Sequence, residues 1–172
     1  MTTHKVKAGA IDSPSSSSLW PRRVWRYAPL LLWMLFISYA STGNLSASNT
    51  SWLVRPLMLW LVPDISDEAL MRIHITVRKT AHFVEYGILA LLAARAFLSS
   101  SHIFLRRRWL VLSFLLVACA SLLDEYHQSF ETSRTGTIYD SLVDMAGGTV
   151  ALALLMLWRS HRLKKKSGQL SG

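Results

Sequence analysis

The stretch WLVLSFLLVACASLLDEYHQSF, residues 109–130, begins as an apolar run and ends in two carboxylates, a histidine and a glutamine. About 20 predominantly apolar residues are needed to cross the hydrocarbon core, so the first part forms most of a membrane-spanning helix. Its polar residues, Asp124, Glu125, His127 and Gln128, stand where that helix would leave the membrane. Ionisable groups at membrane depth usually face protein or water, so this position is a candidate site.

Composition favours a membrane protein. The chain has 172 residues, of which 51% are hydrophobic, and a formal net charge of +9. A strong positive charge can indicate nucleic-acid binding, but here the basic residues flank apolar runs rather than forming a polar domain. We therefore expect membrane lipids as partners and no nucleic acid. Cys119 is the single cysteine, which excludes an internal disulfide.

The apolar runs predict an all-α, polytopic helix bundle with four membrane spans. The predicted spans are about 27–42, 80–98, 109–124 and 138–158. Between the first two, the segment 52–62 is interrupted by Arg55 and Pro56 and is too short to cross, so we expect it at the membrane interface. Ser66, followed by Asp67 and Glu68, predicts the N-cap of a helix that continues into the second span.

The sequence outside the spans is polar and basic. Residues 1–26 lack apolar periodicity and are predicted to be a disordered tail, and residues 159–172 a basic cytoplasmic tail. The apolar run 27–40 follows three arginines and ends in small residues, so an alternative is a cleaved signal peptide. Cleavage would leave the other three spans unchanged.

Lysine and arginine counts predict that both termini are cytoplasmic, since cytoplasmic loops carry the excess. The 14 cations expected inside are Lys5, Lys7, Arg22, Arg23, Arg26, Arg95, Arg106, Arg107, Arg108, Arg159, Arg162, Lys164, Lys165 and Lys166. The 5 expected outside are Arg55, Arg72, Arg78, Lys79 and Arg134. This distribution predicts a multi-pass protein of the cell (inner or plasma) membrane.

Helical spacing gathers polar side chains at the outer ends of the spans. Lys79, His82, Glu85 and Tyr86 share one helical face. Asp140, Asp144 and Gly148 form a stripe on the fourth span, with Asp144 ~6 Å deeper than Asp140. Gly147 and Gly148 would let another helix approach that stripe closely.

Two segments carry a family resemblance. KTAHFVEY, Lys79–Tyr86, resembles the Lys-x-x-His-x-x-x-Tyr pattern of the VanZ-like membrane proteins, at the start of one span. DEYHQSFETSRTGTIYDSLVDMAGG, Asp124–Gly148, resembles their second block, in which Asp-Glu-x-x-Gln and a later Arg precede Asp-x-x-x-Asn-x-x-Gly. Asp144 stands at the usual asparagine position and adds an acidic group. The resemblance covers about residues 30–158.

The resemblance implies a small polytopic envelope protein, related to proteins associated with resistance to the lipid-tailed glycopeptide teicoplanin. It implies no settled reaction and no agreed catalytic residues.

Our preferred interpretation is a site in the outer leaflet that binds an anionic lipid or a lipid-linked envelope precursor. Cations would hold the anion, because arginine bonds two phosphate oxygens at once, and carboxylates with Gln128 would bind amines or hydroxyls. The predicted ligand-binding residues are Lys79, His82, Tyr86, Asp124, Glu125, Gln128, Arg134, Asp140 and Asp144.

Three alternatives remain open at this point. The polar cluster could be structural, with Lys79 and Arg134 paired to Asp124 and Asp140. It could belong to a membrane-embedded hydrolase or transferase acting on a lipid-linked phosphate or sugar. It could also relay protons in transport. The sequence leaves the oligomeric state open.

For the enzyme alternative, the candidate catalytic residues are His82, Glu85, Asp124 and Asp140, with histidine as a general acid or base. A divalent metal could also be surrounded by His82, Glu85, Asp124, His127, Asp140 and Asp144. The zinc His-Glu-x-x-His and Gly-x-Ser-x-Gly motifs are both absent, and we expect no metal and no cofactor.

Overall fold

The computed structural model describes residues 19–41, 55–130 and 138–169, and this part of the chain is helical apart from its short connections. The helices are α1 (Leu19–Ser41), α2 (55–61), α3 (Asp67–Leu98), α4 (Ile103–Arg107), α5 (Trp109–Gln128) and α6 (Ile138–Gln169). The prediction of an all-α fold is confirmed.

Helix α3 begins where the sequence predicts and is the centre of the bundle. The Ser66 hydroxyl accepts a hydrogen bond from the Ala69 backbone N–H at 3.2 Å, and Asp67 and Glu68 occupy the first turn. The 32 residues of α3 give a length of ~48 Å, against a hydrocarbon core of ~30 Å. The helix is therefore longer than the hydrocarbon core, and a membrane span within it would leave its charged first turns outside.

The helices pack around α3 in an up-and-down order. Helix α3 contacts α6 most extensively and also packs on α5 and α1, while α5 packs on α6. The start of α1 lies near the end of α3, because the Tyr27 hydroxyl donates to Ser100 Oγ at 3.3 Å. The end of α1 lies near the end of α5, because the Ser41 hydroxyl donates to Asp124. Helix α1 is thus an integral member of the bundle.

Close approach between α3 and α6 depends on glycine. A Cβ added at Gly147 would collide with the backbone carbonyl of Phe83, and a Cβ at Gly148 would lie 2.8 Å from Val117 Cγ1 on α5. Gly87 on α3 faces the Gly147 backbone, but a Cβ there would lie 3.5 Å from the Gly147 carbonyl oxygen, in ordinary contact. Small residues at a helix interface allow backbones to approach in this way. The predicted packing role of Gly147 and Gly148 is confirmed.

The outward faces of the bundle are apolar, as expected of helices that contact lipid. Leu32, Leu123 and Leu154 are each more than 60% exposed. Soluble proteins rarely expose large contiguous apolar surfaces. Within the residues that the structure describes, three helices, α3, α5 and α6, are long and apolar enough to cross a membrane, which indicates a membrane protein. Helix α1 is not among the three, and its role as a fourth span, like the orientation of the termini, stays a prediction.

Some element boundaries differ from those predicted. Helix α1 begins at Leu19 rather than Tyr27, with Pro21 in its first turn, where the missing N–H removes no helical hydrogen bond. Helix α6 continues to Gln169 rather than ending at Trp158, because lysine and arginine are good helix formers. Residues 1–18 of the predicted tail and the segment 131–137, which contains Arg134, lie outside the described residues.

Replacement of Gly147 by alanine is expected to destabilise the bundle by about 1–3 kcal/mol, the usual cost of overpacking a close contact. The measurement is the thermal unfolding midpoint of the purified protein in detergent. Gly87→Ala is the matched control, because its added methyl meets only ordinary contacts. Equal midpoints for the two variants would contradict the close approach of α3 and α6.

Membrane topology is testable with single cysteines in a Cys119→Ser background. Glu68 and Ser129 are exposed at one end of the bundle, and Ser101 and Ser160 at the other. We expect an impermeant maleimide to label Glu68→Cys and Ser129→Cys on intact cells, or on spheroplasts if an outer membrane is present. Ser101→Cys and Ser160→Cys should react only after permeabilisation. Labelling of Glu68→Cys and Ser129→Cys from opposite sides would contradict the bundle.

Candidate functional site

A polar cleft lies at the end of the bundle where α3 and α6 begin and α5 ends. Its empty space is about 270 Å³, part of which is open to the surroundings. The lining residues are Arg78, Lys79 and His82 from α3, Glu125 and Gln128 from α5, and Asp140, Val143 and Asp144 from α6. Segments distant in the sequence therefore contribute to one concave surface.

An ion pair between α3 and α6 lies in the wall of the cleft. Lys79 Nζ is 2.8 Å from Asp140 Oδ1, and Arg78 Nη2 is 3.8 Å from Asp140 Oδ2. The lysine and arginine side chains are 43% and 34% exposed, and partly exposed pairs of this kind contribute little to stability. Arg78 and Lys79 therefore lie side by side at the cleft and remain partly exposed.

His82 lies one turn further into the bundle, between two acidic side chains. Its Nδ1 is 3.8 Å from Glu85 Oε2 and 3.9 Å from Asp144 Oδ1. These separations are longer than a hydrogen bond. The His82 ring also stacks on Tyr86, with 6.4 Å between ring centroids, and Tyr86 is fully buried beneath it. His82 and its three neighbours, Glu85, Tyr86 and Asp144, therefore lie between the cleft and the interior of the bundle.

Asp144 is the deepest carboxylate of the cleft. Only 2% of the residue is exposed, and its Oδ2 accepts a hydrogen bond from the Ser121 hydroxyl at 3.0 Å. Ser121 itself is fully buried on α5. Because burying a carboxylate without polar partners is costly, this hydroxyl stabilises the approach of α6 to α5.

Asp124 links the cleft to α1. One of its carboxylate oxygens, Oδ2, accepts hydrogen bonds from Gln128 Nε2 at 2.8 Å and from the Ser41 hydroxyl at 2.7 Å. Helix α1 is also attached where Trp33 Nε1 donates to the Glu85 backbone carbonyl at 2.9 Å. Asp124 therefore holds Gln128 in place at the cleft and depends on α1 for one of its partners.

The structure brings most of the predicted ligand-binding residues together. Those lining the cleft are Lys79, His82, Glu125, Gln128, Asp140 and Asp144. Tyr86 and Asp124 are buried next to it, and Glu85 is beside His82 without lining the cleft. His127 is exposed and does not line the cleft, and Arg134 lies outside the described residues.

The sequence analysis missed three polar contributors. Arg78 lines the cleft and could have been found, since it is one turn from His82 and next to Lys79. Ser121 could have been found from its place one turn before Glu125. Ser41 has no local signal, because its bond to Asp124 joins residues 83 positions apart.

The chemistry available to the cleft is charge pairing and hydrogen bonding. Within the described residues, no group of three or more His, Cys, Asp or Glu side chains is arranged to hold a metal ion. The cleft does present guanidinium, ammonium, carboxylate and amide groups over a short distance. Such a set can bind a small charged group and orient it.

Replacement of Ser121 by alanine is expected to destabilise the protein by about 1–3 kcal/mol, because Asp144 would lose a buried donor. Ser113→Ala is the matched control, since Ser113 is also fully buried on α5 but donates only to Trp109 of its own helix. Unfolding midpoints in detergent provide the comparison. A larger loss from Ser113→Ala would count against the interhelical bond.

Comparison with known proteins identifies a family. A family model described as VanZ/LLP1 matches residues 24–159. The matched region extends from α1 into α6 and includes every residue that lines the cleft. No curated protein and no solved structure shows a significant match to the chain.

Proposed function

The chain belongs to the VanZ/LLP1 family, and from this premise we propose that its polar cleft binds an anionic lipid or lipid-linked headgroup in the outer leaflet. The observation that carries the proposal is the convergence of three helices on one charged cleft at a single end of a membrane bundle. A purely structural cluster needs paired charges but no concave surface.

The two adjacent cations suit the anionic part of such a ligand. Arg78 and Lys79 lie at the rim of α3, half-buried and within reach of a phosphate oxygen. Arginine can bond two phosphate oxygens through its planar fork, and lysine adds a compact positive charge. Gln128, held by Asp124, supplies an amide that can accept or donate.

The position of the cleft also favours a lipid. Leu142 and Tyr139 flank Asp140 on α6 and are 54% and 71% exposed, so acyl chains can lie against them. A headgroup in the cleft would leave its hydrocarbon tails alongside the apolar faces of the helices. The resemblance to proteins associated with a lipid-tailed glycopeptide supports a ligand of the envelope.

The structural alternative rests on the same bonds. Lys79 pairs with Asp140, Ser121 with Asp144, and Ser41 with Asp124, so the buried carboxylates have partners without a ligand. Under that alternative, neutralising Arg78 and Lys79 would leave the lipids that copurify with the protein unchanged. Measuring the lipids that copurify with a folded variant therefore distinguishes the structural alternative from the proposed binding site.

Lipids that copurify with the protein test the proposal. In the double variant Arg78→Gln, Lys79→Gln, we expect a loss of phosphate-bearing lipid of about tenfold, equivalent to ~1.4 kcal/mol of binding free energy. Mass spectrometry of lipids extracted from purified protein gives the amounts. Arg134→Ala, which removes the other cation of the predicted ligand-binding set, should reduce the same lipid species.

Arg72→Gln is the control for loss of a cation from α3. Arg72 pairs with Glu68 on the exposed first turns of the helix, outside the cleft lining. The lipids that copurify with the Arg72→Gln variant should equal those of the wild type. An unchanged lipid complement in the double variant, with a wild-type unfolding midpoint, would contradict the proposed function.

A further inference from the structure

The end of the bundle opposite the cleft is strongly basic. Within the residues that the structure describes, every aspartate and glutamate lies in 64–85, 124–125 or 140–144, at or towards the cleft end. At the opposite end, the described lysines and arginines have no carboxylate among them. The five arginines of α6 and of the turn between α4 and α5 form what we call the basic surface: Arg106, Arg107, Arg108, Arg159 and Arg162. All five are exposed.

Contacts with tryptophan join these arginines into one surface. Trp109 begins α5 directly after Arg108, and the guanidinium carbon of Arg159 on α6 lies 5.7 Å from the Trp109 ring centre. Arg162, nearly one turn further along α6, lies 5.1 Å from the Trp158 ring centre. A guanidinium on an aromatic ring is held by its flat face, so the N–H groups at its edge stay available to an anion.

Exposed apolar side chains lie next to the same arginines. Ile103 and Phe104 of α4 are 52% and 63% exposed and stand within one turn of Arg106 and Arg107. Leu157, which continues the apolar outward face of α6, is also exposed. A soluble polyanion would cover the arginines and leave these apolar groups in water. A bilayer interface covers both, because its phosphates lie beside its acyl chains.

We infer that this end of the bundle binds anionic phospholipid of the leaflet opposite the cleft, with phosphates on the basic surface and acyl chains against Phe104 and α6. This is a second lipid site, and it goes beyond the proposed function of the cleft. Arginine forks bond two phosphate oxygens at once. A lipid with net negative charge is favoured over a zwitterionic one, because each nearby arginine attracts the net charge.

The inference is tested with lipid added to delipidated protein, because lipid on exposed arginines exchanges with detergent during purification. All proteins carry Arg78→Gln, Lys79→Gln, which removes the cations of the cleft. Phosphatidylglycerol or phosphatidylcholine of identical acyl chains is added, and native mass spectrometry measures the bound fraction. We expect phosphatidylglycerol to bind at least about tenfold more tightly than phosphatidylcholine. Higher salt should weaken this preference, since exposed charges are screened.

Two pairs of substitutions identify the surface. Arg108→Gln, Arg159→Gln should weaken phosphatidylglycerol binding about tenfold and leave phosphatidylcholine unchanged. Arg106→Gln, Arg107→Gln should act in the same direction, and folding should tolerate it, because α4 has no buried residue.

The matched control is Arg55→Gln, Arg72→Gln. It also removes two exposed cations, but from α2 and the first turns of α3, far along the chain from the basic surface. Its preference for phosphatidylglycerol should equal that of the parent protein. An equal loss in this control would overturn the inference, because net charge alone would then explain the binding.

The inference and the proposed function fail separately. Equal affinity of the parent protein for the two lipids would overturn the inference, and so would unchanged phosphatidylglycerol binding in both arginine pairs with parental unfolding midpoints. Neither result bears on the cleft, whose cations are absent from every protein in the series. Inorganic polyphosphate at the same phosphate concentration should leave most of the phosphatidylglycerol bound. Its displacement of the lipid would instead identify the partner as a soluble polyanion.

Discussion

The contact between the Gly147 backbone of α6 and the Phe83 carbonyl of α3 is the constraint on which the cleft depends. Without a side chain at Gly147, the two helices approach closely enough for Lys79 to reach Asp140 and for His82 to face Asp144. In a membrane, burial of apolar surface does not drive helix association, so van der Waals packing and polar bonds between helices decide the arrangement. Glycine packing therefore determines where the charges meet.

The polar residues are arranged by depth in the bundle. Arg78 and Lys79 are partly exposed at the rim, while Asp144 and Asp124 are buried further in, each with a serine hydroxyl from a neighbouring helix. Exposed cations are free to exchange partners, whereas buried carboxylates are costly to leave without bonds. This gradient gives the cleft a fixed interior and an adaptable entrance, which is compatible with the headgroup site that we propose.

Local patterns predicted much of this organisation, for identifiable reasons. The Ser66 N-cap and the helical face from Lys79 to Tyr86 were predictable because each depends on residues within one or two turns. Gly147 and Gly148 were predictable as packing residues from their small size alone. The start of α1 at Leu19 and the extension of α6 to Gln169 were not anticipated, because polar and basic residues are equally compatible with a tail and with a helix outside the hydrocarbon.

The sequence by itself determined that this is a helical membrane protein whose polar residues gather at span ends, because hydrophobic length and helical period are local properties. Only the tertiary structure decided which side chains meet: Lys79 with Asp140, Asp144 with Ser121, and Asp124 with Ser41. These pairs depend on the rotation and separation of helices distant along the chain. That geometry comes from the residues that pack against Gly147 and Gly148, namely Phe83 on α3 and Val117 on α5, and composition and spacing alone do not specify these partners.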